Sequence, residues 1–287
     1  MKSLRAHVVL LAVFGHACGG GLLVNSGFCQ GPERETVLRE VEKTFSDPPA
    51  SVRLDPRDRV WADKKNRRVI VDGYIALREG PLEMLACLVG TKEHESIVAT
   101  FCKAQTVHAG LLAVGAEQGK PVQWEPTFRP PSGSEIQVFA LWVDKNGQKK
   151  NIDARQWVKI VDTEQEVLDK NFVFAGSLFW EDPDSRKKIY QAESGDLICV
   201  SNFSTATLDV PIESSKVNSG LMFMAFTERI PPQGTPVRLV LQVVAGPKPA
   251  GAVNETAKSD SKAKLEPDGA AKQPAKIPPL PDLDGIK

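Results

Sequence analysis

Apolar and polar residues change rhythm along this chain, and the rhythm predicts its elements. Val69, Val71, Ile75 and Leu77 alternate with Asp72 and Arg78. That period of two sets one strand face on a core and the other toward water, and Gly73 inside the run predicts a bulge. Two further apolar runs, 82–89 and 97–101, flank the polar stretch 90–95 and are expected to lie side by side as antiparallel strands across that loop. Val107, Leu111 and Val114 then fall at i, i+4 and i+7, and Gly119 with Pro121 closes the segment. This spacing predicts a helix over 106–116, capped by Thr106 and lying across a sheet.

Pro126, Pro130, Pro131 and Gly133 mark a loop, after which 135–143 is apolar on both faces, the pattern of a buried strand. Asn146-Gly147 predicts a tight hairpin turn, since both residues accept positive φ. A short helix is expected near 163–170, and strand-like runs recur at 172–175, 189–192, 197–200, 207–212, 221–226 and 237–244, with turn residues in every gap. Many short strands with one or two helices packed on the sheet predict a mainly β, β-rich α+β fold: a single domain of short, mostly antiparallel strands over 50–245. A stretch of that length buries roughly 70% of its unfolded surface, so one core suffices without covalent staples.

The flanks follow other rules. Lys2 and Arg5 precede an apolar run from Val8 that loosens into Gly19-Gly20-Gly21, so residues 1–30 are expected to be an export signal, cleaved after Ala17 or near Ser26. An N-terminal anchor and a lipid on Cys18 are the competing readings. Either way the mature protein is expected outside the cytoplasm, as a periplasmic, cell-envelope or secreted protein. Residues 31–49 form a polar lead-in with a weak helical stripe of Val37, Leu38, Val41 and Phe45, ended by Pro48-Pro49. Residues 246–287 hold no aromatic residue and many lysines, alanines and prolines, a composition that predicts disorder. Within them the proline-rich stretch from Ile277 reads either as a docking peptide in an extended left-handed conformation or as solvated tail.

Charge narrows the partners. The chain carries 36 basic and 36 acidic side chains and so no net charge. Neither nucleic acid nor an anionic membrane surface is therefore expected as a partner, and membrane contact is expected only through a possible N-terminal anchor. An envelope protein or ligand is the partner class left open.

Candidate chemistry concentrates in 82–108. With 1–30 removed, this segment holds both remaining histidines, His94 and His108, and two of three remaining cysteines, Cys87 and Cys102. A divalent metal site is one reading: His94 and His108 as ligands, completed by Glu93 or Glu95. The plainer reading makes His108 a core-edge side chain and His94 an exposed turn residue beside a carboxylate. Export to an oxidising compartment makes Cys87 and Cys102 a candidate disulfide pair, with Cys199 a buried free thiol. Ser177 in Ala-Gly-Ser-Leu reads as a nucleophile or, more simply, as a turn serine. Glu181, Asp182 and Asp184 read as a calcium turn or as a charge-balanced hairpin tip beside Arg186, Lys187 and Lys188. Trp61, Trp124, Trp142, Trp157 and Trp180 are candidates for a carbohydrate or peptide groove, or for ordinary packing.

The blocks Gly90-Thr-Lys-Glu-His-Glu-Ser96, Val107-His-Ala-Gly-Leu-Leu-Ala-Val-Gly-Ala116, Phe174-Ala-Gly-Ser177, Cys199-Val-Ser-Asn-Phe203 and Phe226-Thr-Glu-Arg-Ile-Pro-Pro232 together resemble the YdjY-type domain family of bacterial secreted and envelope proteins, over about 65–242. The family carries no established activity. Some of its members are labelled ferredoxin-like lipoproteins, but an iron–sulfur cluster is not expected here, because the chain lacks CxxC spacing and four clustered thiolates. Two functions stay open: a binding or interaction module of the cell envelope, and a metal-dependent enzyme or redox-active protein centred on 82–108.

Overall fold

The structure, a computed structural model, describes residues 34–161, 166–214 and 223–244. The expected signal segment 1–30 and tail 246–287 lie outside the described residues, as does part of the helix expected at 163–170. The described part of that helix, 166–170, is not helical; Val167 bridges to Lys159 instead.

The elements run in the order α1 (Arg34–Thr44), β1 (Val52–Arg53), β2 (Val60–Asp63), β3 (Arg68–Ile75), β4 (Met84–Leu88), β5 (Ser96–Thr100), α2 (Ala104–Ala113), β6 (Glu135–Val143) and β7 (Lys149–Asp153). They continue as β8 (Val158–Ile160), β9 (Phe172–Val173), β10 (Phe179–Glu181), β11 (Lys188–Tyr190), β12 (Ile198–Cys199), β13 (Phe223–Ala225) and β14 (Pro236–Val243). This is the β-rich α+β domain that the patterning predicts. The 207–212 run contributes only isolated bridges, through Leu208 and Asp209.

The main sheet runs β12-β4-β5-β3-β14-β6-β7. Its trunk is β3-β14-β6, and both outer trunk strands are shared between two neighbours. The first half of β3 pairs with β2, from Val60↔Val71 to Asp63↔Arg68, and its second half pairs with β5, from Gly73↔Thr100 to Ile75↔Val98. Likewise β6 pairs with β7 beyond Phe139 and with β9 at Glu135 and Ile136. Gly73 is not a bulge. It stays in register with both neighbours, and a Cβ there would lie 2.2 Å from the Ala99 carbonyl oxygen, so glycine is needed for close approach.

One pairing reverses expectation. The runs 82–89 and 97–101 are neighbours but parallel, Met84↔Ser96 through Leu88↔Thr100. The chain turns back at Gly90 (φ 85°) and returns through 3-10 turn Glu93–Glu95 before β5 begins. Alternation of period two is the same in either direction, so the sequence pattern could not specify it. At the β6–β7 hairpin, Gly147 but not Asn146 has positive φ, and Asp144 closes a longer loop by accepting from Asn146 and Gln148 N–H groups, which replaces the expected two-residue turn.

The two faces of the sheet differ. On one, Val60, Ala62, Val69, Val71, Val138, Ala140, Leu239 and Leu241 meet Val107 and Leu111 of α2 and the rings of Trp157, Phe172 and Phe174, all buried; each aliphatic side chain so buried contributes roughly 1.5–3 kcal/mol. The other face carries charge. Asp72 accepts from Arg59 Nε at 3.1 Å and from Arg238 Nε at 2.6 Å, and both Asp72 and Arg238 are wholly buried. One further contact of each guanidinium reaches a carbonyl, Arg59 Nη2 that of Phe45 and Arg238 Nη2 that of Ser46. The Arg238 guanidinium lies 4.8 Å from the Phe45 ring centre and 5.3 Å from that of Trp61, a cation–π sandwich. These contacts tie α1 to this face, where Val37, Val41 and Phe45 pack on Tyr74, Met84, Ala99 and Phe101.

Helix α2 begins at Ala104, earlier than expected, and Thr106 is not its N-cap. Asp58, from the loop before β2, substitutes for a local cap: its Oδ2 accepts from the Lys103 N–H at 3.2 Å and the Thr106 hydroxyl at 2.6 Å. Glu193 accepts from the Gln105 N–H at 2.9 Å. Two distant carboxylates thus take the Lys103 and Gln105 N–H groups at this helix start.

Candidate functional site

His108 projects from α2 between the rings of Phe174 and Tyr190, both met edge-on at centroid distances of 4.9 and 5.3 Å. Its Nδ1 lies 2.9 Å from the Tyr190 hydroxyl, which also lies 3.1 Å from the Gly176 carbonyl and 3.2 Å from the Thr207 hydroxyl. A carbonyl only accepts, so the single Tyr190 proton goes to Gly176 and the hydroxyl receives the proton on His108 Nδ1. This assigns the neutral Nδ1–H tautomer and leaves Nε2 as the basic nitrogen. Burial lowers the His108 pKa in the same sense, against a smaller opposing effect of the Gly176 backbone.

The other expected ligands lie elsewhere. His94 is exposed in the Glu93–Glu95 turn, its Nε2 3.8 Å from Glu95. Glu93 turns back to accept from the Gly90 N–H at 2.7 Å, and Glu95 lies 3.7 Å from Lys92. Among the described residues no three His, Cys, Asp or Glu side chains form a metal-ligating group, so Glu93, His94, Glu95 and His108 are not assembled into one. The disulfide pair is likewise not formed. Cys87 sits opposite Ala99 and packs on the α1 side of the sheet, whereas Cys102, beyond the end of β5, packs on the α2 side. Cys87, Cys102 and Cys199 are all free thiols. Burial raises all three, Cys87 to about 11, so none carries the thiolate that redox exchange requires at neutral pH.

A polar cluster that the sequence did not single out lies at the β12 edge. Lys92 reaches Asp196 at 2.8 Å and stands 4.6 Å over the Phe203 ring. Burial works against its charge, but Asp196 and Glu95 outweigh that and raise its pKa. Asp196 also accepts from the Ser194 and Thr205 hydroxyls. Nearby, Asp209 is wholly buried: one oxygen accepts from Asn202 Nδ2 and the Val210 N–H, and the other has no partner. Desolvation pushes its pKa up to about 8, so it is protonated at neutral pH. Asn202 fastens the segment by donating to the Val210 carbonyl and accepting from the Ser214 N–H.

Ser177 is a structural turn residue. It adopts φ 55°, donates to the Thr205 carbonyl at 2.6 Å and accepts from the Ala192 N–H at 3.1 Å, and it is buried. Asp182 closes the β10–β11 tip by accepting from the Asp184 and Ser185 N–H groups, while Glu181 pairs with Arg186 at 2.8 Å. At the tip Glu181 and Arg186 offset each other and Asp182 is held by backbone N–H groups, so these carboxylates serve the hairpin itself.

The tryptophans do not share a groove. Trp61 and Trp157 are buried, Trp142 packs on Trp157 and Trp124 on Phe128. Trp180 differs. It stands on the β10–β11 hairpin, which is a two-stranded sheet separate from the main one. Leu178, Phe179, Trp180 and Ile189 expose 43, 57, 45 and 39% of their surface there, an apolar concentration that a solvated hairpin does not need. Trp180 and Ile189 are direct cross-strand partners and so share a face, whereas Phe179 pairs with Tyr190 and its ring lies 5.0 Å from that of Tyr190. Beside this face opens a cleft of about 460 Å³ lined by Trp180, Ile189, Tyr190, Gln191, Glu193, Ser194 and Thr205.

Segments far apart in sequence converge here: Lys92 on Asp196 and Phe203, His108 on Tyr190, Tyr190 on Gly176, Ser177 on Thr205. Fold and site together define a β-rich α+β domain with a mostly antiparallel sheet, a polar edge and an apolar hairpin platform. The chain belongs to the YdjY domain family, whose model matches residues 60–242. Nothing among curated proteins or solved structures matches the chain.

Proposed function

We propose that this protein is an exported component of the cell envelope that works as a binding module, with the face of the β10–β11 hairpin and its adjoining cleft as the binding surface. The observation that carries this is the exposure of Leu178, Trp180 and Ile189 together on a hairpin that leaves the main sheet. Aromatic and aliphatic groups grouped at a cleft with polar side chains at its rim are the composition of a protein or peptide contact surface. Export rests on the basic start and apolar run of residues 1–30.

A photo-crosslinking residue, p-benzoylphenylalanine, placed at Ile189 and separately at exposed Val52 on β1 tests the surface in cells. Adducts are expected from position 189 and not from position 52; equal labelling from both positions, or none from 189, overturns the reading. Export is checked separately by the mass of the protein recovered from its native cells, which is expected to lack an N-terminal segment.

A further inference from the structure

The hairpin platform has a ligand of matching chemistry in the same chain. We propose that the proline-rich stretch 277–286 docks on the Leu178/Trp180/Ile189 face as an extended left-handed helix, a proposal that rests on reading this hairpin as a binding surface.

The first support is spacing. Ile277, Leu280, Leu283 and Ile286 recur every three residues. A polyproline II helix has three residues per turn and so sets all four along one edge, about 28 Å long; a 3-10 helix shares that period but needs the backbone N–H groups that the prolines lack. An α-helix would spread them over half its circumference, and a strand would send successive ones to opposite faces. Pro278, Pro279 and Pro281 interrupt both alternatives and pre-set φ, which lowers the ordering cost of docking. Aromatic-lined surfaces bind such helices, and Trp180 beside Ile189 offers one, with the Gln191 amide at the rim as a donor for carbonyls that have no partner within a polyproline helix.

Charge gives the second support. Asp282 and Asp284 flank Leu283 in the stretch, and exposed Lys187, two residues before Ile189, makes no ion pair among the described residues, whereas Lys188 alternates to the other face opposite Glu181. An acidic residue of the stretch would meet Lys187 while the apolar edge meets the platform. Reach allows it: a coil as long as 245–276 spans about 30 Å, comparable with the roughly 40 Å width of a domain of this size. Docking within one chain also raises the effective concentration of the ligand to about the millimolar range.

The full chain carrying p-benzoylphenylalanine at Ile189 provides the test, purified at low concentration, irradiated and mapped by mass spectrometry. The expected product is an intrachain adduct between position 189 and peptide 277–286. Combining Leu283→Asp with Asp284→Leu keeps composition and charge but breaks the spacing, and is expected to lower the adduct yield at least about tenfold, as loss of one apolar anchor implies. Circular dichroism of the exchanged variant, expected to match the parent, shows that the domain is intact. Equal yield from the exchanged variant overturns the proposal, as does an adduct that forms only between differently labelled chains. An adduct with a cellular partner and none with 277–286 leaves the binding surface standing and removes the docking; no adduct of either kind removes both.

Discussion

Two aspartates, both wholly buried, show how differently one side chain is accommodated in this domain. Asp72, in the sheet trunk, is met by two guanidiniums that use four hydrogen bonds between them, and those guanidiniums in turn bond carbonyls of the chain leaving α1. Asp209, at the β12 edge, receives one side-chain amide and one backbone N–H on a single oxygen and nothing on the other. In the first place partners of opposite charge offset the desolvation of the carboxylate; in the second the proton does it. Burial alone therefore does not tell the chemical state of a carboxylate. What matters is whether cations come with it.

The comparison breaks most sharply at Asp72. Its replacement by Asn leaves Arg59 and Arg238 buried without their counter-charge, and the expected loss in unfolding free energy by denaturant titration is about 3–5 kcal/mol. A loss under about 1 kcal/mol would mean that the cluster is not organised around Asp72.

Asp209 sharpens it from the other side. Because its folded pKa of about 8 lies above its ordinary 3.8, the folded protein keeps a proton that the unfolded chain releases across that window. Its contribution is most favourable below pH 4, declines as pH rises, and levels off above about pH 8. Asp209→Asn removes the linkage, so the stability of the variant relative to the parent should climb with pH between those limits, by at most about 1.4 kcal/mol per unit. Parallel stability curves across that range would show that Asp209 is ionised in the folded state.

The smallest expected effect belongs to the hairpin. Trp180→Ala removes a half-exposed ring from outside the main sheet and should change stability by no more than about 0.5 kcal/mol, while abolishing the crosslinks formed from position 189. A large destabilisation would recast Trp180 as a packing residue and count against the platform.

The strand over Val69 to Ile75 was legible from its alternation, but the face expected toward water is buried, because Asp72 pairs there with Arg59 and Arg238; α2 was legible from Val107, Leu111 and Val114. The direction of β5 relative to β4 was not, because side-chain alternation is blind to direction. The cap of α2 was sought locally at Thr106 and is supplied by Asp58 and Glu193. Of the candidate ligands, His108 does lie in a polar network, but with Tyr190 rather than His94. Tyr190 had no local signal, since its role depends on the fold bringing it against a helix 82 residues away in the chain.

By itself, then, the sequence determined what depends on neighbours a few residues apart: the periodicities of β3, β6, β14 and α2, the turn glycines, the β-rich class, and through its blocks the family. Tertiary structure alone decided whatever needs two distant segments in register. Arg238 meets Asp72 only because β14 lies antiparallel to β3 with those residues opposed; His108 meets Tyr190, and Lys92 meets Asp196, only after the sheet is assembled. The physical reason is range: local patterns record how a residue relates to its own strand or helix, whereas ion pairs, burial and protonation follow from distances of a few ångströms between groups whose separation along the chain leaves them unrelated until the sheet has formed.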